Sequence, residues 1–101
     1  MRYMYHATSM DKLVDILETG LKPGVDGVVY LCEKPFDAAK FLIVRGLKEI
    51  IVFKVKIYKK DEKKIVETFD HSTAYFKCRA YGYQGEIKPS NIEQVIKYGG
   101  S

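Results

Sequence analysis

Met4-Tyr5-His6-Ala7-Thr8-Ser9 decides the reading of this chain, together with a second short stretch, Val28-Val29-Tyr30-Leu31-Cys32. From Arg2 to His6 polar and large side chains alternate, which is the period of a strand. The chain then turns at once to helix chemistry. Thr8 or Ser9 offers an N-cap, and Thr8-Ser9-Met10-Asp11 has the form of a capping box with Asp in place of Glu. Met10, Leu13, Ile16 and Leu17 recur at three- and four-residue spacing, one apolar stripe of a helix. Gly20 supplies a left-handed cap, Leu21 the apolar contact that often follows it, and Pro23 blocks continuation. Turn residues Pro23-Gly24-Val25-Asp26-Gly27 lead into the second stretch. It is apolar apart from the Tyr30 hydroxyl, so a strand buried on both faces is expected.

Outward from these stretches, Glu33-Lys34-Pro35 opens a second helix through Ala38, Ala39, Phe41, Leu42 and Ile43, ending at Gly46. Glu49 to Lys60 is the clearest strand: Ile51, Phe53, Val55 and Ile57 alternate with Val52, Lys54, Lys56 and Tyr58, one apolar face and one largely basic face. Lys59-Lys60-Asp61-Glu62-Lys63-Lys64 reads as a charged hairpin connection to a strand from Ile65 to Phe69. Asp70-His71-Ser72-Thr73 is a turn, Ala74 to Tyr81 a strand, and Tyr81-Gly82-Tyr83-Gln84-Gly85 breaks regularity. A last strand runs from Glu93 to Tyr98, and Gly99-Gly100-Ser101 is expected as a disordered tail. Two helices near the N-terminus followed by a run of strands predict an α+β domain over residues 1–98.

The totals agree with one domain: 101 residues leave no room for a second core. Hydrophobic content of 47% and charged content of 30% are ordinary for a soluble chain. No apolar run could span a bilayer, and Met1-Arg2-Tyr3-Met4 lacks the core of a signal peptide, so a cytoplasmic monomer without membrane contact is expected. Cys32 and Cys78 lie far apart, with no CxxC and no Cys/His cluster at zinc spacing; reduced core thiols and no metal are expected. A net charge of +4 suits an anionic ligand without demanding nucleic acid.

A histidine at the exit of a first strand, a helix closed by Gly20-Leu21, and Val29-Tyr30-Leu31 after a glycine together resemble the ADP-ribosyltransferase fold. The resemblance is to its His-Tyr-Glu branch, which includes the poly-ADP-ribose polymerases and small bacterial relatives, and it covers Tyr3 to about Val95. It implies a split pair of small sheets with an NAD cleft between them, and transfer of ADP-ribose from NAD to a protein or nucleic-acid acceptor. By that resemblance His6 holds the adenosine ribose, Ala7 and Thr8 offer backbone groups to the nicotinamide amide, and Tyr30 stacks on the nicotinamide ring. An aromatic face favours a desolvated pyridinium by about 1–2 kcal/mol. Ala7 stands where the family usually has glycine, which requires that the backbone there avoid positive φ. The family's third residue is a glutamate placed before a segment like Ile87-Lys88-Pro89-Ser90-Asn91-Ile92. No acid stands at Arg79 to Tyr81, where spacing would put it, and Glu86 is the nearest carboxylate. Glu86 is therefore the expected stabiliser of the ribosyl cation; the other reading of it is an exposed turn residue.

Other residue clusters point less sharply. Asp70, His71 and Ser72 adjoin one another, but neighbours in one turn rarely reach triad geometry and there is no GxSxG elbow. Lys54, Lys56, Lys59, Lys60, Lys63 and Lys64 form a basic stripe, either a solvated face or a patch for nucleic acid. A related RNA 2′-phosphotransferase reading needs arginines beside the histidine, and this chain has only Arg2, Arg45 and Arg79. The alternative to an enzyme is a degenerate domain of the same fold that binds protein or nucleic acid. The two differ in whether His6, Tyr30 and Glu86 converge on one cleft.

Overall fold

Strand β1 (Arg2–Ser9) runs three residues further than the sequence suggests, because β3 (Glu49–Ile57) pairs with it along its whole length, from Arg2↔Ile57 to Ser9↔Ile50. The structure is a computed structural model that describes residues 1–68 and 80–99. Long-range pairing overrides the local helix signal at Thr8-Ser9. Ser9 makes no capping bond to the backbone; its hydroxyl instead holds the Asp11 carboxylate, lowering the pKa of that acid. A 3₁₀ turn, Met10–Lys12, then leads into α1 (Leu13–Thr19). Ile16 is buried and Met10 and Leu13 pack beside the core, but Leu17 is exposed, so the helix stripe is narrower than expected.

Gly20 closes α1 at φ +86°, and a Cβ there would stand 2.3 Å from the Ile87 carbonyl oxygen. That closeness serves the neighbouring residue: Leu21 and Ile87 exchange N–H···O bonds, both 2.8 Å. β2 (Val29–Cys32) follows, then α2 (Pro35–Val44) with Pro35 in its first turn, as expected. α2 ends as read, at Gly46 with φ +90°. The Gly46 N–H reaches Ile43 O at 3.0 Å and the Leu47 N–H reaches Leu42 O at 3.2 Å, the paired bonds of a Schellman cap.

Residues Lys59–Lys64 form a 3₁₀ segment and not a hairpin. β3 and β4 (Ile65–Thr68) are not neighbours, so the charged segment crosses from one half of the sheet to the other. β5 (Ala80–Tyr83) carries its strand through Gly82 and Tyr83, past the expected break at Tyr81, because Val29 and Tyr30 pair with them. A 3₁₀ turn at Pro89–Asn91 opens β6 (Ile92–Gly99), whose last residue pairs with Glu49; the expected tail therefore starts one residue too early. Phe69, the turn at Asp70 to Thr73, the strand segment from Ala74 to Arg79 including Cys78, and Gly100-Ser101 lie outside the described residues.

Among the described residues these strands make one antiparallel sheet in the order β4-β5-β2-β1-β3-β6. The domain is α+β, with both helices in its first half, as expected; the separate small sheets are not seen. In their place, two three-stranded halves meet between β1 and β2 at one register pair, Tyr5↔Cys32. One sheet face packs Met4, Leu31, Phe53 and Val55 against Ile16 of α1. The other packs Cys32, Ile50 and Val52 against Ala38 and Ala39 of α2. β3 is thus buried on both faces until Lys54, where the expected apolar-and-basic alternation begins. No helix among the described residues is long and apolar enough to cross a membrane.

Candidate functional site: the cleft beside His6

The junction of the two halves is held differently on its two sides. Toward the start of β1, Glu33 accepts a hydrogen bond from the Tyr81 hydroxyl at 3.0 Å and lies 3.6 Å from the Arg2 guanidinium, which also sits over the Tyr81 ring. Toward Ser9, no register pair joins β1 to β2 beyond Tyr5↔Cys32. There the His6 ring takes over: its Nδ1 lies 2.8 Å from the Tyr30 carbonyl oxygen. A carbonyl only accepts, so Nδ1 carries the proton and Nε2 keeps its lone pair in the neutral ring. Burial pushes the His6 pKa below its ordinary 6.5, more strongly than the Tyr30 carbonyl raises it. At neutral pH the ring is therefore uncharged and presents an acceptor at Nε2.

Between this open edge and α2 lies a cavity of about 320 Å³, within the lower range of small-molecule sites. His6, Ala7, Thr8 and Tyr30 all line it, so the four residues expected to hold a nucleotide share one space. Tyr5 and Cys32 add the junction pair, Ala38, Phe41 and Leu42 add one face of α2, and Arg45 adds the residue just past its end. Ala7 sits in the β1–β3 ladder opposite Val52, in extended backbone that an alanine adopts freely. Alanine at this position therefore introduces no strain.

Tyr30 departs from the sequence reading in one respect. β2 is not buried on both faces: Tyr30 is 49% exposed while Val29, Leu31 and Cys32 are buried. Its hydroxyl donates to the Asp26 carboxylate, and that bond holds the acid below the usual carboxylate range. The ring is thus tethered at both ends of the residue, by Asp26 at the hydroxyl and by His6 at the carbonyl. A half-exposed, tethered aromatic thus stands at the wall of the cavity.

Glu86 does not join the others. It is exposed, and it precedes Ile87, whose bridge to Leu21 holds this segment against the end of α1. Glu86 is not among the residues that line the cavity, and no carboxylate is among the described residues that do. Arg79, His71 and Ser72 lie outside the described residues. The lysine stripe is dispersed by the crossover, and three of its six members are engaged. Lys56 pairs with Glu93 at 3.1 Å, Lys64 with Asp61 at 3.6 Å, and Lys54 lies 4.3 Å from the centre of the Tyr3 ring.

Two residues of the site were not read from the sequence. Asp26 was hidden in turn chemistry, although Asp26 and Tyr30 stand four apart across it. Arg45 had a visible signal: Ala38, Phe41, Leu42 and Arg45 fall at i, i+3, i+4 and i+7, one helix face. Comparison with known proteins finds no matching family model and no significant match to a curated protein.

Proposed function

We propose that this chain is a minimal NAD-binding domain resembling the ADP-ribosyltransferases, which works as a binding module and does not turn NAD over through Glu86. The observation that carries the reading is the shared cavity: His6, Ala7, Thr8 and Tyr30 line one space at the open edge of β1. Each offers chemistry that NAD can use. The Nε2 lone pair of neutral His6 accepts from a ribose hydroxyl. The exposed face of Tyr30 stacks on the nicotinamide ring, with cation–π attraction to its positive charge. The backbone of Ala7 and Thr8, without β2 pairing on that side, has room to meet the carboxamide.

Against turnover stands the position of Glu86, exposed beside the Leu21–Ile87 bridge and absent from the cavity lining. Ribosyl-cation chemistry needs an anion where the positive charge develops. In this reading the bound NAD, or its ADP-ribose portion, is recognised without group transfer.

Calorimetric titration with NAD tests the binding, with His6→Ala as the control. Saturable binding that the control weakens by about tenfold or more is the expected result. Nicotinamide release from wild type and from Glu86→Ala is then compared. Release that disappears with Glu86 would replace the binding module by a transferase acting on a protein or nucleic-acid acceptor.

A further inference from the structure

Among the described residues that line the cavity, Arg45 is the one that carries a full charge at neutral pH. Its neighbours on α2 place it at the end of an otherwise apolar face, after Ala38, Phe41 and Leu42. The other cations with ion pairs have their carboxylates close by: Arg2 with Glu33, Lys40 with Asp37, Lys56 with Glu93, and Lys64 with Asp61. Arg45 has no such partner among the described residues. A helix C-terminus would normally repel an anion. Here the Ile43 and Leu42 carbonyls are occupied by the Gly46 and Leu47 N–H groups, which blunts that negative end. The cavity's remaining walls are aromatic or small: Tyr5, Tyr30 and Phe41 beside Ala7, Ala38 and Ala80.

We infer that Arg45 is an anion anchor, and that the cavity selects a ligand in which a phosphate is joined through a sugar to a planar ring. The phosphate sits on the Arg45 guanidinium, whose fork of N–H donors matches phosphate oxygens. The ring lies against Tyr30 and a ribose hydroxyl of the ligand meets His6. This extends the proposed NAD-binding reading, on which the ring and sugar contacts rest. The phosphate contact depends on Arg45 alone and can be tested apart from it.

The experiment uses the full chain and three probes: NAD, nicotinamide riboside, which lacks phosphate, and inorganic pyrophosphate. Arg45→Gln is compared with wild type, and Lys40→Gln serves as a control for general loss of charge on α2. NAD is expected to bind wild type about tenfold or more tightly than the riboside. Arg45→Gln should erase that preference while leaving riboside affinity unchanged, and Lys40→Gln should keep it. Pyrophosphate should shift the Arg45 side-chain Nε–H resonance. An Arg45→Gln protein that still prefers NAD to the riboside overturns the anchor and leaves the NAD reading intact. Pyrophosphate shifts without NAD binding would keep the anchor and remove the NAD reading. Neither NAD nor pyrophosphate binding at millimolar concentration would remove both.

Discussion

The two long edges of β1 are used in opposite ways. On one edge β1 is paired with β3 from Arg2↔Ile57 to Ser9↔Ile50, and on the other it meets β2 only at Tyr5↔Cys32. The paired edge carries the stability, since β3 contributes Ile50, Ile51, Val52, Phe53 and Val55, all buried, to both faces of the core. The open edge gives up backbone pairing, and one imidazole bond to the Tyr30 carbonyl replaces it. A strand held rigidly along one side can leave its other side available to a ligand. The same economy explains why the cavity lies at His6-Ala7-Thr8 and not nearer the Arg2–Glu33–Tyr81 clasp.

The strongest way to break the comparison is on the paired edge. Phe53 is fully buried between β1 and β6. Phe53→Ala should cost about 3–5 kcal/mol, a large share of what a domain of this size has. A urea midpoint little changed from wild type would deny β3 its role as the core strand. On the open edge, His6→Ala removes one exposed hydrogen bond and should cost only about 1 kcal/mol, while weakening NAD binding far more than it weakens the fold. Equal losses of stability from the two substitutions would mean that the edges do not differ as described.

A pH series sharpens the same contrast. His6 has its pKa lowered in the folded protein by burial. The unfolded chain therefore takes up the His6 proton first as the pH falls through 6.5. Stability should decline from there until the folded pKa is reached, and the His6→Ala variant should lack that component. NAD affinity should fall over the lower part of this window, once the folded ring protonates and Nε2 becomes a donor. An affinity that stays constant while the folded His6 ring, followed by its own NMR resonances, takes up its proton would exclude Nε2 as the acceptor for the ribose.

The smallest expected effect concerns the Tyr30 tether. Asp26→Asn keeps the size of the side chain but weakens its bond with the Tyr30 hydroxyl. NAD affinity should drop by about threefold, with global stability unchanged, since a single exposed hydrogen bond positions the ring without supporting the core. An affinity loss as large as that of His6→Ala would give Asp26 a direct contact with the ligand.

Much of this arrangement was legible in the residues, and the failures have physical causes. The period of β3 and the Gly-capped helices followed from local spacing and turn chemistry, and the grouping of His6 with Tyr30 from the family resemblance. Partner choice did not. A charged run such as Lys59–Lys64 between two strand-like segments looks the same whether it joins neighbours or crosses the sheet, and here it crosses. Thr8 and Ser9 suit a cap or a strand, and the eight-residue β1 settles them through contacts with Ile50 and Ile51. Glu86 is the carboxylate nearest along the chain to Arg79–Tyr81, where the resemblance puts an acid, whereas its position is set by the Leu21–Ile87 bridge to the end of α1. Arg45 and Asp26 become part of the site through helix phase and a turn, which only the folded chain aligns with the cavity.

The most direct test of the open edge as a ligand cleft is an NAD titration of isotopically labelled protein followed by NMR. The expected result is a set of shifts confined to His6, Ala7, Thr8, Tyr30 and the Phe41–Arg45 face of α2, lost in His6→Ala, with β6 and the Lys59–Lys64 segment unmoved. No shifts at millimolar NAD, or shifts centred on the lysine segment, would contradict it.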